Sequence, residues 1–405
     1  MAKVEREQIL AYRLHGHQLA EPAPATGLAE VAGRCYPQNT PPGSAGLALS
    51  ARVRDVTEET LAEQLVGEKA LLQAFGARGA PHVFPVRDAA VFTRGLLPGN
   101  EEALREFLGG AVPSLDELGM TAADLVRYTC EAVADVLDGT ALIKDDLGRA
   151  AGEWITGRLP AGLRNGWNGH SPYSPKQFMG ESLVRFALPV ASLRGILCHG
   201  GREGRSPLLR RTDQWVGRVP GGDRDASAEL VRRYLRCHGP STARHYAEWG
   251  GIGIGQAEAA WEAVRDELVE VDLGSGVAWV AAGELARLES PAQPGPEAGP
   301  QAGPEVGRVR MLPPHDPYLQ ARDRERLLPD RTSHRRVWRT SGNPGVILVD
   351  GEIRAGWRPL TRSRRLAITV EPLGRIARAH RGPIEEEATR IARHRGLELG
   401  EITGW

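Results

Sequence analysis

Residues 232–281 constrain the fold more than any other stretch of this chain. A helix closes at Gly239-Pro240, because proline cannot continue a helix and disfavours helical geometry in the residue before it. Ser241 or Thr242 then offers a hydroxyl to cap a second helix that runs to Trp249. A glycine-rich turn at 250–255 leads into QAEAAWEAVRDELV, where Ala260, Trp261, Val264 and Leu268 recur along one helical stripe. ELVEVDLGSGVAWVA follows, alternating with period two around Gly-Ser-Gly, which is the pattern of a hairpin. Helix, tight turn, helix and hairpin in this order predict a winged helix-turn-helix.

The same order recurs twice upstream in weaker form. In SAGLALSARVRDVTEETLAEQLVGEKALLQAFGARGAPHVFPV, two amphipathic helices precede a hairpin that turns at Arg78 and Gly79. In LVRYTCEAVADVLDGTALIKDDLGRAAGEWI, a helix closes at Gly139, and a segment capped at Thr140 leads into a second helix over 145–154. Three such units predict winged-helix domains over 1–98, 99–220 and 221–289. The run SPAQPGPEAGPQAGPEVG, 290–307, lacks periodicity and apolar bulk and reads as a linker. Beyond it, residues 308–405 place Asn-Pro-Gly, Asp-Gly and Ser-Arg turns between alternating strands, so a small antiparallel sheet is expected. PIEEEATRIARHRGLEL is expected to finish the chain as a helix with its acids in the first turn. The predicted class is therefore α+β: tandem winged helix-turn-helix domains followed by a C-terminal antiparallel β-rich region. Two stretches, 165–176 and 199–215, read as loops. The first carries Trp167 and Tyr173, and either ring can stack on a base or simply pack.

Positive and negative side chains balance at 51 each, yet the balance is uneven along the chain. Residues 308–395 hold 20 arginines against 10 acids, a field suited to phosphate as well as to a solvated, ion-paired surface. No apolar run is long enough to span a membrane, and charges interrupt the N-terminal stretch, so a soluble cytoplasmic protein is expected. Cys35, Cys130, Cys198 and Cys237 are widely spaced and read as packed, reduced thiols, without a disulfide frame or a zinc site. The phosphate-cradling loop, the nucleophile elbow, the zinc-protease helix and the dinucleotide fingerprint are all missing from the sequence. His315-Asp316 in LPPHDPYL is a tight local pair that suits either a catalytic dyad or a capped turn, and the capped turn is the simpler reading.

Five stretches carry a specific resemblance: AYRLHGHQL near the start, QNTPPGSAGLALSARV at 38–53, ARGAPHVFPVRD at 77–88, RYLRCHGPSTARHYAEWGGI at 233–252, and LPPHDPYLQARDRERLLPD with its continuation to VDGEIRAGW. In these the chain resembles the AlkZ/YcaQ-like winged-helix DNA glycosylases, in the family's own order and over most of its length. The resemblance implies tandem winged helices cupping a duplex and a monofunctional enzyme that removes N-alkylated purines without metal or cofactor. Its implied partner is double-stranded DNA carrying such purines; no membrane and no obligate protein partner are expected, and a monomer is expected. In some members the substrates are bulky adducts or crosslinks made by the organism's own genotoxic metabolite.

The family's catalytic motif is a glutamine, an aliphatic residue, and then glutamine or aspartate. Counting back from SAGLALSARV puts Gln38, Asn39 and Thr40 on those positions. Gln38 matches, whereas Asn39 and Thr40 depart from the motif. The same three residues also suit a cap on the helix starting near Ser44. Arg78 and His82 stand on the first expected wing, and Arg335, Arg336, Arg339, Arg358, Arg362, Arg364 and Arg365 are candidates for phosphate contacts.

Overall fold

Asp350-Gly351 and Ser363-Arg364 close hairpins, all four residues taking positive φ (49°, 83°, 45° and 64°), the conformation that tight primed turns demand. They join Gly345–Val349, Glu352–Arg362 and Arg365–Pro372 into an antiparallel meander, extended at one edge by Val309–Leu312. One face of this sheet, with Ile353, Ala355, Trp357, Leu366, Ile368 and Val370, is buried. Helix Arg381–His394 covers part of it with Ile384, Ala388, Ile391 and Ala392. The chain does not finish as a helix. Gly396 (φ 64°) turns the backbone, and Glu398–Thr403 adds a fifth strand, parallel to Arg365–Pro372. The helix also starts earlier than its proline suggests, so Glu385, Glu386 and Glu387 lie one turn in. Glu387 serves the sheet instead of the helix dipole, accepting the Met311 N–H at 2.8 Å and pairing with Arg390 at 2.8 Å.

The computed structural model describes residues 1–204, 206–217, 225–290 and 307–405; the expected linker lies, at 291–306, outside the described residues. The chain forms two compact units, one comprising Met1–Ala62, Val231–Tyr246 and Val264–Trp405, the other Glu63–Leu230 and Ala247–Ala263. The class is mixed α+β, with largely antiparallel sheets. No helix among the described residues is long and apolar enough to cross a membrane.

The first unit holds the five-stranded sheet and a smaller, three-stranded one. The predicted hairpin forms there as Leu268–Asp272 and Val277–Ala281; of the helices that precede it in the chain, Ala226–His238, Ala243–Gly250 and Ile254–Glu262, the last belongs to the second unit. Sequence periodicity missed its third strand, Ala2–Lys3, which is too short to show alternation and pairs parallel to Leu268–Asp272. Ile9 and Tyr12 of helix Arg6–Gly16 pack on this sheet.

The second unit is built around helix Met179–Leu193, buried along nearly its whole length, against which helices Ala122–Val136 and Lys144–Thr156 pack. Its sheet runs Pro81–Pro85, Leu71–Phe75, Leu197–Glu203, Ser206–Arg211, Leu142–Ile143. The stretch that reads as a basic loop at 199–215 is thus a hairpin followed by a short helix, Thr212–Val216. Two glycines hide the strand, yet one of them is needed there: a Cβ on Gly200 would sit 2.8 Å from Arg210 Cδ and 2.9 Å from the Trp215 ring.

Candidate active site

Helix Leu28–Cys35 buries Leu28, Val31, Ala32 and Cys35 on one side and ends where Tyr36 turns left-handed (φ 51°). Gln38 follows in the first unit's interior, 7% exposed, and Thr40 faces solvent. Between them the Asn39 side-chain carbonyl accepts the N–H groups of Gly43 at 2.8 Å and Ala45 at 3.3 Å. Those donors stand at the start of helix Ser44–Ser50, whose first N–H groups have no partner within the helix. Asn39 is therefore a cap. Both lone pairs of that carbonyl are directed at backbone donors, while the side-chain amide and the neighbouring Gln38 and Thr40 make neither of these bonds.

Two buried ion pairs fix the frame around this loop. Arg52, just past helix Ser44–Ser50, meets Asp316 in a two-pronged pair (2.6 and 2.8 Å) and also donates to the carbonyls of Ala48 (2.7 Å) and His17 (2.8 Å). Both side chains are fully buried. Burial by itself would lower the Arg52 pKa, but the Asp316 carboxylate outweighs it and raises the pKa, so the guanidinium stays charged. Asp316 also accepts the Tyr318 N–H at 2.9 Å, so it is a clamp and a cap, not half of a dyad with His315. Arg13 pairs likewise with Asp323 (2.8 and 2.9 Å) and donates to the carbonyls of His238, Gly239 and Pro240, closing the C-terminus of helix Ala226–His238. Sequence reasoning missed both pairs. Each joins residues more than 260 positions apart, and no spacing rule reaches that far.

In the second unit, the strands Leu71–Phe75 and Pro81–Pro85 flank the predicted turn. Arg78 there, left-handed at φ 55°, donates to the Trp249 carbonyl near the end of helix Ala243–Gly250. His82 points inward, 3% exposed, with Nδ1 on the Ala80 carbonyl at 2.9 Å. Burial, reinforced by the Arg78 charge, lowers its pKa to about 3 and keeps it neutral. As a neutral imidazole it carries one ring N–H donor and no charge. Trp167 is likewise interior, 1% exposed, donating to the Gly152 carbonyl at 3.1 Å. Tyr173 is half exposed but pinned, donating to the Gly110 carbonyl (2.8 Å) and bonding Ser114 (2.7 Å), its ring edge-on to Phe186.

The C-terminal arginines fall into two groups on the hairpin Glu352–Arg362 and Arg365–Pro372. Because alternate side chains share a face, Arg354, Arg358, Leu360 and Arg362 line the side opposite the buried Ile353, Ala355 and Trp357. At the open end, Arg358 pairs with Glu371 (2.8 Å), Arg339 approaches the same carboxylate (3.7 Å), and Arg336 donates to the Pro372 carbonyl (2.9 Å). Arg335 stands exposed beside them. At the turn, Arg362 and Arg364 are exposed, and Arg365 reaches Glu398 at 3.4 Å. Four residue steps at about 3.4 Å, from Arg358 to Arg362, put roughly 14 Å between the nearest members of the two groups.

All four cysteines are buried free thiols. Among the described residues no group of three or more His, Cys, Asp or Glu side chains is arranged to hold a metal ion.

The profile of the AlkZ-like DNA glycosylases matches residues 31–394, and the chain belongs to that family. Among solved structures it is similar to the DNA glycosylase AlkZ of Streptomyces sahachiroi, with a TM-score of 0.73, 22% identity, and 100% of each chain covered. No curated protein matches the sequence.

Proposed function

We propose that the chain is a monofunctional DNA glycosylase that hydrolyses the N-glycosidic bond of N7- or N3-alkylated purines in duplex DNA, bulky natural-product guanine adducts and crosslinks included. In this reading three tandem winged helices, over 1–98, 99–220 and 221–289, form the scaffold, and the β-rich region 308–405 supplies phosphate contacts. The protein acts in the cytoplasm as a monomer without cofactor.

The observation that carries the reading is the loop at 38–43. By the resemblance Gln38 falls on the glutamine of the family motif, and the Asn39 cap and the Arg52–Asp316 clamp hold the helix that follows it. Alkylation makes the purine cationic and a good leaving group. The remaining needs are a placed water and partial negative charge near an oxocarbenium-like sugar. The Gln38 carbonyl suits both, and the exposed Thr40 hydroxyl can hold the same water. Water oxygen bonds to C1′, the C1′–N bond breaks, its electron pair neutralises the departing base, and the surplus proton passes to solvent. Neither an amide nor a hydroxyl takes that proton fully, so unmodified purines are poor substrates. Arg78 and His82 on the first wing, and Arg335, Arg336, Arg339, Arg358, Arg362, Arg364 and Arg365 after residue 308, are assigned to the DNA in this reading.

The test is single-turnover release of free base from a duplex bearing an N7-alkylguanine. Gln38→Ala slows release by about 10²-fold or more, as loss of one positioned polar group does elsewhere. An unchanged rate removes Gln38 from the chemistry. A second reading, a DNA-binding protein without catalysis, is favoured by the hydroxyl at Thr40 where the family motif has an amide or a carboxylate. It predicts binding without alkali-labile breaks at the lesion.

A further inference from the structure

The hairpin and the last helix are joined by residues 373–380, and from Pro372 to Ile384 the chain contains no acid while carrying Arg375, Arg378, His380 and Arg381. Ile376 packs against the core of the five-stranded sheet, which anchors the segment. Arg375 and Arg378, on either side of it, are exposed. Among the described residues neither guanidinium has an ion-pair or hydrogen-bond partner. Their neighbours, the exposed Arg335 apart, differ. Arg358 and Arg339 share Glu371, Arg336 holds the Pro372 carbonyl, and Arg381 lies over the Trp405 ring at 5.4 Å. Arg375 is three residues beyond Pro372, so chain length alone keeps its Cα within about 11 Å of that arginine-lined edge.

We propose that Arg375 and Arg378 bind the sugar–phosphate backbone of duplex DNA, making the segment after the hairpin a second phosphate-binding element beside it. This rests on the reading of the chain as a DNA enzyme and names which charges bear its affinity. A guanidinium already paired to a carboxylate must give up that pair to meet a phosphate, whereas Arg375 and Arg378 give up water and a counterion only. Their two-pronged geometry fits phosphate oxygens, and anchoring by Ile376 reduces the freedom lost on binding. Such contacts are blind to base sequence and position the duplex.

The experiment is anisotropy of an undamaged, labelled duplex titrated with the full chain at several salt concentrations between 50 and 200 mM. Each phosphate contact contributes about 0.9 to the slope of log affinity against log salt. The Arg375→Gln/Arg378→Gln variant is expected to lose about 1.8 of slope, so the native advantage shrinks roughly 12-fold across that fourfold range. Arg336→Gln/Arg339→Gln, which removes the same charge from partnered positions, is expected to lose less. Equal slopes for native chain and the Arg375/Arg378 variant overturn the proposal while base release from alkylated duplex still supports the enzyme. Salt-independent duplex binding, or none, by the native chain overturns both.

Discussion

The Asn39 side-chain carbonyl accepts the Gly43 backbone N–H at 2.8 Å and so ties the motif loop to the helix behind it. An aliphatic side chain at this position cannot make that bond. Asn39→Leu is therefore expected to cost about 1 kcal/mol of stability, the usual loss of a helix cap, and to slow base release. Asn39→Asp keeps the acceptor and is expected to behave like the native chain. Urea melts together with single-turnover rates decide it, and a leucine variant as stable and fast as the native chain would falsify the positioning role.

The Arg52–Asp316 pair, with both side chains fully buried, should be intolerant of single changes. Asp316→Leu leaves a guanidinium without its counter-charge in the interior, and a loss of about 3–5 kcal/mol is expected. The double variant Arg52→Met/Asp316→Leu removes both charges and should recover most of it. Denaturation midpoints of the three proteins check this. A double variant no better than the single one would mean that Arg52 matters chiefly through its bonds to the Ala48 and His17 carbonyls.

Acid should weaken the second unit through two histidines. Burial lowers the pKa of His82 to about 3 and that of His199 to about 4, against an ordinary value near 6.5. Their neutral forms are favoured in the folded state, so the stabilisation is present above pH 6.5 and is lost as pH falls towards 4. In that window the unfolded chain binds one more proton per histidine, worth about 1.4 kcal/mol per pH unit each. His82→Gln/His199→Gln should flatten unfolding free energy against pH between 6 and 4.5. An unaltered slope would show that carboxylates carry the acid sensitivity.

Gly180 is a packing requirement of Trp167. A Cβ at this position would come within 2.2 Å of the indole Nε1 and Cε2, and the ring is enclosed, with its N–H on the Gly152 carbonyl. Gly180→Ala should cost roughly 1–3 kcal/mol by overpacking and blue-shift or broaden the tryptophan emission. A variant melting within error of the native chain would show that the ring can move aside.

Local rules read the elements well where residue type dictates backbone geometry. Gly239-Pro240 ends a helix, Asp350-Gly351 and Ser363-Arg364 turn hairpins, and alternation across 352–372 separates a buried face from an arginine-bearing one. They failed where glycine or brevity hid a strand, at Gly200 and Gly201 and at Ala2–Lys3, and where Gly396 let a last strand follow the expected final helix. At the candidate site, the capping capacity of Asn39 was visible in its chemistry, and the structure forms that cap.

What the sequence by itself determined is the hairpin–helix grammar, the concentration of arginine after residue 308, and membership in the glycosylase family. Tertiary structure alone decided which polar residues face solvent. His82 and Trp167 turned inward, Arg52 and Asp316 met across the chain, and Glu371 claimed Arg358 while Arg375 and Arg378 were left in water. The reason is physical: propensity and periodicity act over a few residues, whereas burial and charge pairing depend on partners that only the fold brings within reach.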